Sequence, residues 1–257
     1  LVRKKENPII TPNDKNHWES EATFNPAALY EDGKVHLLYR AVGLDSVSSI
    51  GHTASNNGVN FLERGLEPAY WPREKFEGVH ASRPNTNRPF LAYTSGGGGN
   101  GGCEDPRLTL IGNTVYMIYT AFDGWSSLRL ALSSIKLADF KNQRWHWKKP
   151  ILISPPGMDD KDAALFPRKI NGKYVFLHRL GVSIWIDFVS SLKFDNTQWL
   201  GGQILMDPRG GEHDSHRIGI AGPPIETKWG WLVLYHGIAR GPTRHYHLRA
   251  ALLDRRN

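Results

Sequence analysis

The sequence predicts an all-β chain made of β-propeller blades, and three observations carry that reading. A short β-rich run recurs four times, each copy opens just after a turn signal, and no convincing amphipathic helix lies between copies. The copies are Val35-His36-Leu37-Leu38-Tyr39-Arg40, Val115-Tyr116-Met117-Ile118-Tyr119-Thr120, Tyr174-Val175-Phe176-Leu177-His178-Arg179 and Trp231-Leu232-Val233-Leu234-Tyr235-His236. The turn signals before them are Asp32-Gly33, Gly112-Asn113, Asn171-Gly172 and Trp229-Gly230. A double-sheet sandwich is the rival arrangement for strands at this spacing.

Each copy has a strand candidate ahead of it, at residues 27–30, 108–111, 163–166 and 224–226. Most have one behind, at residues 128–134, 183–188 and 248–253. In a propeller the inner strands converge on a central channel, so the polar ends of the copies, Arg40, Thr120, Arg179 and His236, are expected to meet there. Residues 74–102, with prolines, asparagines and a four-glycine run, are too long for a hairpin and read as a loop over one face. No Lys-Ser or Lys-Thr follows those glycines, so they are not a P-loop.

Composition narrows the partners. The chain has 257 residues, 40% hydrophobic and 22% charged, enough to bury a large core. Its 9 Trp, 9 Tyr and 10 Phe suit strands and sugar-stacking surfaces. A formal charge of +7 favours anionic partners. The basic residues are dispersed, with no run of five or more like charges and no basic-aromatic motif, so nucleic acid is not expected. No apolar run approaches the roughly 18 to 20 residues of a membrane span. The stretch from Leu1 shows no signal-peptide pattern. The single cysteine, Cys103, excludes an intrachain disulfide and a cysteine zinc cage, which fits a reducing, cytoplasmic compartment.

The densest chemistry is Gly102-Cys103-Glu104-Asp105-Pro106-Arg107, directly before the strand at 108–111. Neighbours on an extended chain face opposite ways, so Glu104 and Asp105 are expected to do different jobs. One can face a cleft while the other ties down Arg107 or backbone amides. The bland alternative is a salt-bridged turn. Glu212-His213-Asp214-Ser215-His216 invites a metal reading, but its spacing fits no zinc motif and no metal is expected. Asp159-Asp160-Lys161-Asp162 reads as a solvated turn from which Lys161 can point inward. Asp187 and Asp195 receive no role. Arg40 and Arg179 taken alone would be paired surface groups, and His236 a satisfied histidine.

Taken together, these residues make the chain resemble glycoside hydrolase family 130, the β-mannoside phosphorylases and their relatives. The matching pieces, in family order, are Asn7-Pro8-Ile9-Ile10, Phe24-Asn25-Pro26-Ala27, Leu38-Tyr39-Arg40-Ala41, Glu104-Asp105-Pro106-Arg107, Tyr119-Thr120-Ala121-Phe122-Asp123-Gly124, Ala164-Leu165-Phe166-Pro167, Leu177-His178-Arg179, Ile218-Gly219, Gly230-Trp231-Leu232, Tyr235-His236-Gly237 and Ala250-Ala251-Leu252-Leu253-Asp254. The resemblance implies a five-bladed propeller with an axial active site. About four blades are expected in this chain, as one catalytic domain over residues 1–257 ending before the last blade. It implies that Asp105 is the general acid and that Asn25 and Arg40 contact the sugar, with Glu104, Asp123 and Tyr246 completing the substrate-binding set. Lys161, Arg179, Arg217 and His236 fall at the phosphate-binding positions, Lys161 standing for Arg and Arg217 for Lys. Residues 74–102 exceed the corresponding loop of the phosphorylases and bear on linkage.

The chemistry suits that assignment. Glycoside cleavage needs a proton for the leaving oxygen and a nucleophile at the anomeric carbon, and an inverting hydrolase adds a second carboxylate to activate water. Phosphate is already anionic, so one acid plus a cationic pocket suffices. The expected reaction is inverting phosphorolysis of a β-1,4- or β-1,2-linked mannoside to α-mannose 1-phosphate. Its partners are the oligosaccharide and inorganic phosphate as co-substrate, with no cofactor, nucleic acid or membrane, and homo-oligomerisation is left open. The alternatives are an inverting β-mannoside hydrolase, with Glu77, Asp123 or Glu212 as base, and a glycan-binding propeller without catalysis.

Overall fold

The computed structural model describes residues 5–79, 100–195, 197–241 and 245–255, so most of the long loop at 74–102 lies outside the described residues. The described residues are mainly β, in three sheets, none of them closed. Its contacts divide it into two compact units.

The first unit comprises Leu1–Pro106, Thr120–Ser126 and Ile135–Trp147. It opens on a meander of β1 (Ala22–Glu31), β2 (Lys34–Val42) and β3 (Ser48–Ser55), all antiparallel. Asp32 and Gly33 both have positive φ, as a two-residue hairpin between twisted strands requires. The β1–β2 register shifts between Phe24 and Ala27, which places Asn25 on a bulge at φ 48°. β3 was not legible in sequence, because Ser-Ser-Ile-Gly-His-Thr-Ala-Ser has little hydrophobic alternation, yet nearly all of it is buried. A parallel bridge from Ser48 to Gly102 starts β4 (Gly102–Ile111). Gly102 has φ 111°, and a Cβ there would sit 2.1 Å from the Ser48 carbonyl oxygen, so only glycine permits the junction.

Strands β4, β5 (Thr114–Phe122) and β6 (Arg129–Lys136) each run out of one unit into the other, and the five-residue helix α1 (Leu137–Lys141) follows β6. In the first unit Phe140 packs edge-on against the His36 and His52 rings, whose nitrogens lie 3.1 Å apart. Burial, with His36 alongside, holds the His52 pKa down at about 3, so this pair is neutral core packing.

The second unit comprises Arg107–Tyr119, Ser127–Ser134 and Lys148–Asn257. β7 (Ile151–Leu152) pairs with β6, and β8 (Asp160–Leu165), β9 (Tyr174–Leu180), β10 (Ser183–Val189) and β11 (Gln203–Met206) form a meander. Alternation along β8 and β9 feeds two cores. Ala163, Leu165 and Phe176 join one with Ile118 and Leu130, while Ala164, Val175 and Leu177 join another with Ile218 and Val233. A sheet buried on both faces explains why Ala163-Ala164-Leu165-Phe166 is an unbroken apolar run.

The solvated-turn reading of residues 159–162 is overturned. β8 begins at Asp160, and Asp160, Lys161 and Asp162 are all buried. Their polar groups have partners inside: the Asp160 carboxylate lies 2.8 Å from His178 Nδ1 and Asp162 pairs with Arg179.

In the last sheet β14 (Gly230–Ile238) is flanked on one side by β15 (Tyr246–Leu253). On the other side the single strand expected at 224–226 is in fact two short ones, β12 (Arg217–Ile220) and β13 (Ile225–Thr227). Gly222-Pro223-Pro224 separates them, since proline cannot donate to the ladder. Among the described residues no helix is long and apolar enough to cross a membrane.

Candidate active site

Two charge clusters stand out, one in each unit. In the first unit Arg40, at the end of β2, is wholly buried. Its guanidinium lies 3.2 Å from Glu104 Oε1 and 3.4 Å from Asp105 Oδ1, its Nε donates to Ser48 Oγ at 3.0 Å, and its plane covers the Phe24 ring at 4.8 Å. Arg40 is therefore no surface group. The expectation that Glu104 and Asp105 face opposite ways fails, because both carboxylates lie on the one guanidinium. The reason is local: Asp105 sits at φ 51°, outside the strand region, which cancels the alternation of side chains. Asn25 Nδ2 completes the group by donating to Asp105 Oδ1 at 2.8 Å.

Asn25 and Asp105 thus share a device, a non-glycine residue in the left-handed region within a strand. Such conformations cost of order 1–3 kcal/mol each and persist where surrounding structure fixes them, commonly at functional sites. Asn and Asp tolerate the region best.

The second unit repeats the device at Asp162, φ 49°, where the β8–β9 register shifts between Lys161 and Ala164. Here the charges are inverted. Asp162 Oδ2 lies 2.6 Å from Arg179 Nη1 and 3.6 Å from His236 Nε2. Burial would push the Asp162 carboxyl up, but Arg179, His236, Lys161 and Arg107 outweigh it and hold it below the usual carboxylate range. Burial lowers the His236 pKa; Asp162 opposes that, and Arg179, Arg107 and Arg217 reinforce it. Five elements supply the group: Arg107 from β4, Lys161 and Asp162 from β8, Arg179 from β9, His236 from β14 and Arg217 from β12. Gly219, paired with His236, makes room for it, since a Cβ there would lie 2.3 Å from Asp162 Oδ2 and 2.8 Å from His236 Nε2.

The sequence-derived residues therefore fall into these two groups: Asn25, Arg40, Glu104 and Asp105 in the first, Lys161, Arg179, Arg217 and His236 in the second. Tyr246 stands by the second, its ring 5.4 Å from that of His236. Asp123 instead accepts hydrogen bonds from the Trp125 and Ser126 amides and the Ser126 hydroxyl, all at 2.7 Å, and so builds its own loop. Glu77 is fully buried, accepting from the Tyr70 hydroxyl and from the Arg73 and Glu74 amides. Glu212, His213 and His216 line an open cavity of about 910 Å³ in the second unit, while Asp214 turns away to Arg209 and Tyr235. Among the described residues no three His, Cys, Asp or Glu side chains are placed to share a metal ion.

Sequence reading named Asp162, Arg107 and Gly219 but did not place them in this group. The apolar run directly after Asp162 was the available signal, because it places Asp162 in a buried strand and not in a turn.

The family model for glycoside hydrolase family 130, described as beta-1,4-mannooligosaccharide phosphorylase, matches residues 3–257. A 1,2-beta-oligomannan phosphorylase of Thermoanaerobacter sp. (strain X514) is 35% identical over 99% of this chain and 76% of its own length. A beta-1,2-mannobiose phosphorylase of the same organism is 36% identical over 99% of this chain and 77% of its own. Among solved structures, a candidate glycoside hydrolase from Bacteroides ovatus superposes with a TM-score of 0.78 at 26% identity, covering 100% of this chain and 78% of its own.

Proposed function

Because the chain belongs to glycoside hydrolase family 130, we propose that it cleaves β-mannosides by inverting phosphorolysis, releasing α-mannose 1-phosphate. The observation that carries this is the basic group at Asp162, made of buried Lys161 and Arg179 with half-buried His236 and, beside His236, half-buried Arg217, which is suited to an oxyanion and has no use in activating water. Relatives named for β-1,2-linked substrates favour that linkage over β-1,4. The strands of these sheets then belong to blades of a propeller.

In the proposed reaction Asp105 gives its proton toward the departing glycosidic oxygen as the anomeric C–O bond breaks. A phosphate oxygen forms the new bond from the opposite face. Asn25 and Arg40 position the mannosyl unit and fix the Asp105 carboxyl. Arg179 holds phosphate through its planar fork, and Lys161 adds a point charge. One acid and one anion site complete the chemistry, and no second carboxylate is required.

The test is release of mannose 1-phosphate from β-1,2- and β-1,4-mannobiose with and without phosphate. Phosphate-dependent product, reduced at least about 100-fold in Asp105→Asn, is expected, since loss of general acid catalysis alone is worth about 10²–10⁴. Asn tolerates the left-handed conformation at that position, so the variant should fold. Free mannose formed equally well without phosphate would overturn the reading in favour of hydrolysis.

A further inference from the structure

An anion site with a carboxylate at its centre poses a physical problem. Arg107, Lys161, Arg179 and Arg217 would bind any oxyanion of suitable size, and Asp162 would repel it. The carboxylate is buried, about 5% exposed, and its Oδ2 is sealed from solvent. It is held there at some cost, on a left-handed residue at a bulge, with Gly219 reduced to a hydrogen to clear the space. A clamp for Arg179 alone would not need His236 at 3.6 Å from the same carboxylate, nor Lys161 and Arg107 near enough to lower its pKa.

We propose that Asp162 makes this site selective for an oxyanion that carries a proton, so that hydrogen phosphate is accepted and sulfate is rejected. This rests on the cationic group being the phosphate site. An ionised carboxylate is an acceptor only. Hydrogen phosphate at neutral pH has one P–OH, which donates to Asp162 Oδ1, the oxygen that Arg179 and His236 do not enclose, while the remaining oxygens accept from Arg179 and its neighbours. Sulfate has the same shape and charge but no proton to give, so it sets oxygen lone pairs against a buried carboxylate. A site built to bond a hydroxyl can reject an analogue lacking it by far more than a hydrophobic pocket rejects a missing methylene. The contacts holding Asp162 below the usual carboxylate range keep it in its accepting form. Asp162 acts as a specificity residue, and no proton is transferred to it.

Calorimetric titration of the full chain with inorganic phosphate and with sodium sulfate at neutral pH reads this directly, with sulfate inhibition of phosphorolysis as a second measurement. The native chain is expected to prefer phosphate by at least about 10-fold. Asp162→Asn, whose amide can donate as well as accept, should narrow that preference about 10-fold, chiefly through tighter sulfate binding. A role limited to holding Arg179 in place would weaken both anions alike. Equal affinity of the native chain for the two anions overturns the proposal whether or not the variant folds, as does a variant with an unchanged preference. A native chain that binds neither anion defeats instead the phosphate reading of the cluster, so the two failures are distinguishable.

Discussion

The two clusters are inversions of one another. In the first unit two carboxylates, Glu104 and Asp105, gather on one guanidinium, Arg40; in the second, one carboxylate, Asp162, gathers Arg179 and His236 with Lys161 and Arg107 close by. Both use an aspartate in the left-handed region within the first strand of a β-meander, near φ 50°. In both, a buried strand presents a charged group out of step with its alternation. The difference lies in what surrounds the aspartate. Asp105 stands beside another carboxylate on a shared guanidinium, whereas Asp162 stands among cations that hold its carboxyl below the usual range. The same backbone device thus serves opposite electrostatic ends.

The largest expected effect strikes the balance of charge in the first cluster. Arg40→Leu leaves two buried carboxylates without their shared cation, a loss expected to cost about 3–5 kcal/mol. Lys161→Met removes one of several cations and should cost well under that, weakening phosphate instead. Urea unfolding of the two variants compares the regions directly, and equal losses would break the contrast. Next in size is Gly219→Ala. Its methyl group would displace Asp162 and His236, and kcat/KM for phosphate should fall about 10- to 100-fold, while mannoside affinity stays near native. A fall shared equally by both substrates would mean that the glycine serves the fold and not the anion site.

The smallest effect is in titration. His236 should titrate below the ordinary 6.5, because burial outweighs Asp162, and the Asp162→Asn variant should titrate lower still, since Asp162 raises it. Below pH 6.5 the unfolded chain takes up a proton there that the folded chain does not, so this histidine lowers stability as pH falls. Asp162 works in a separate window: its contribution is full above the ordinary 3.8 and is lost only as pH falls through its depressed folded value. Histidine NMR across pH 4.5 to 8 reads the first shift, and a His236 midpoint at or above 6.5 would contradict the cation crowding described for the second cluster.

Much of this was legible in the sequence, and the limits have physical causes. Turn dipeptides and β-rich runs marked β2, β5, β9 and β14 because the hydrophobic signal there is continuous. β3 and β12 escaped because their burial is earned by neighbours: β3 is rich in serine and glycine, and β12 is only four residues long. The basic residues of the second cluster were recognisable by type and order, since positive charge at fixed places along a repeat is a property of the chain. Which carboxylate holds them was not. Side-chain direction depends on φ, and a single left-handed residue reverses it, so Glu104 and Asp105 could not be read as sharing Arg40, nor Asp162 as facing inward. Local pattern determined the strands and the candidate charges; the tertiary structure alone decided which charges meet, because bulges and left-handed aspartates are fixed by packing from distant strands and leave no periodic mark in the sequence.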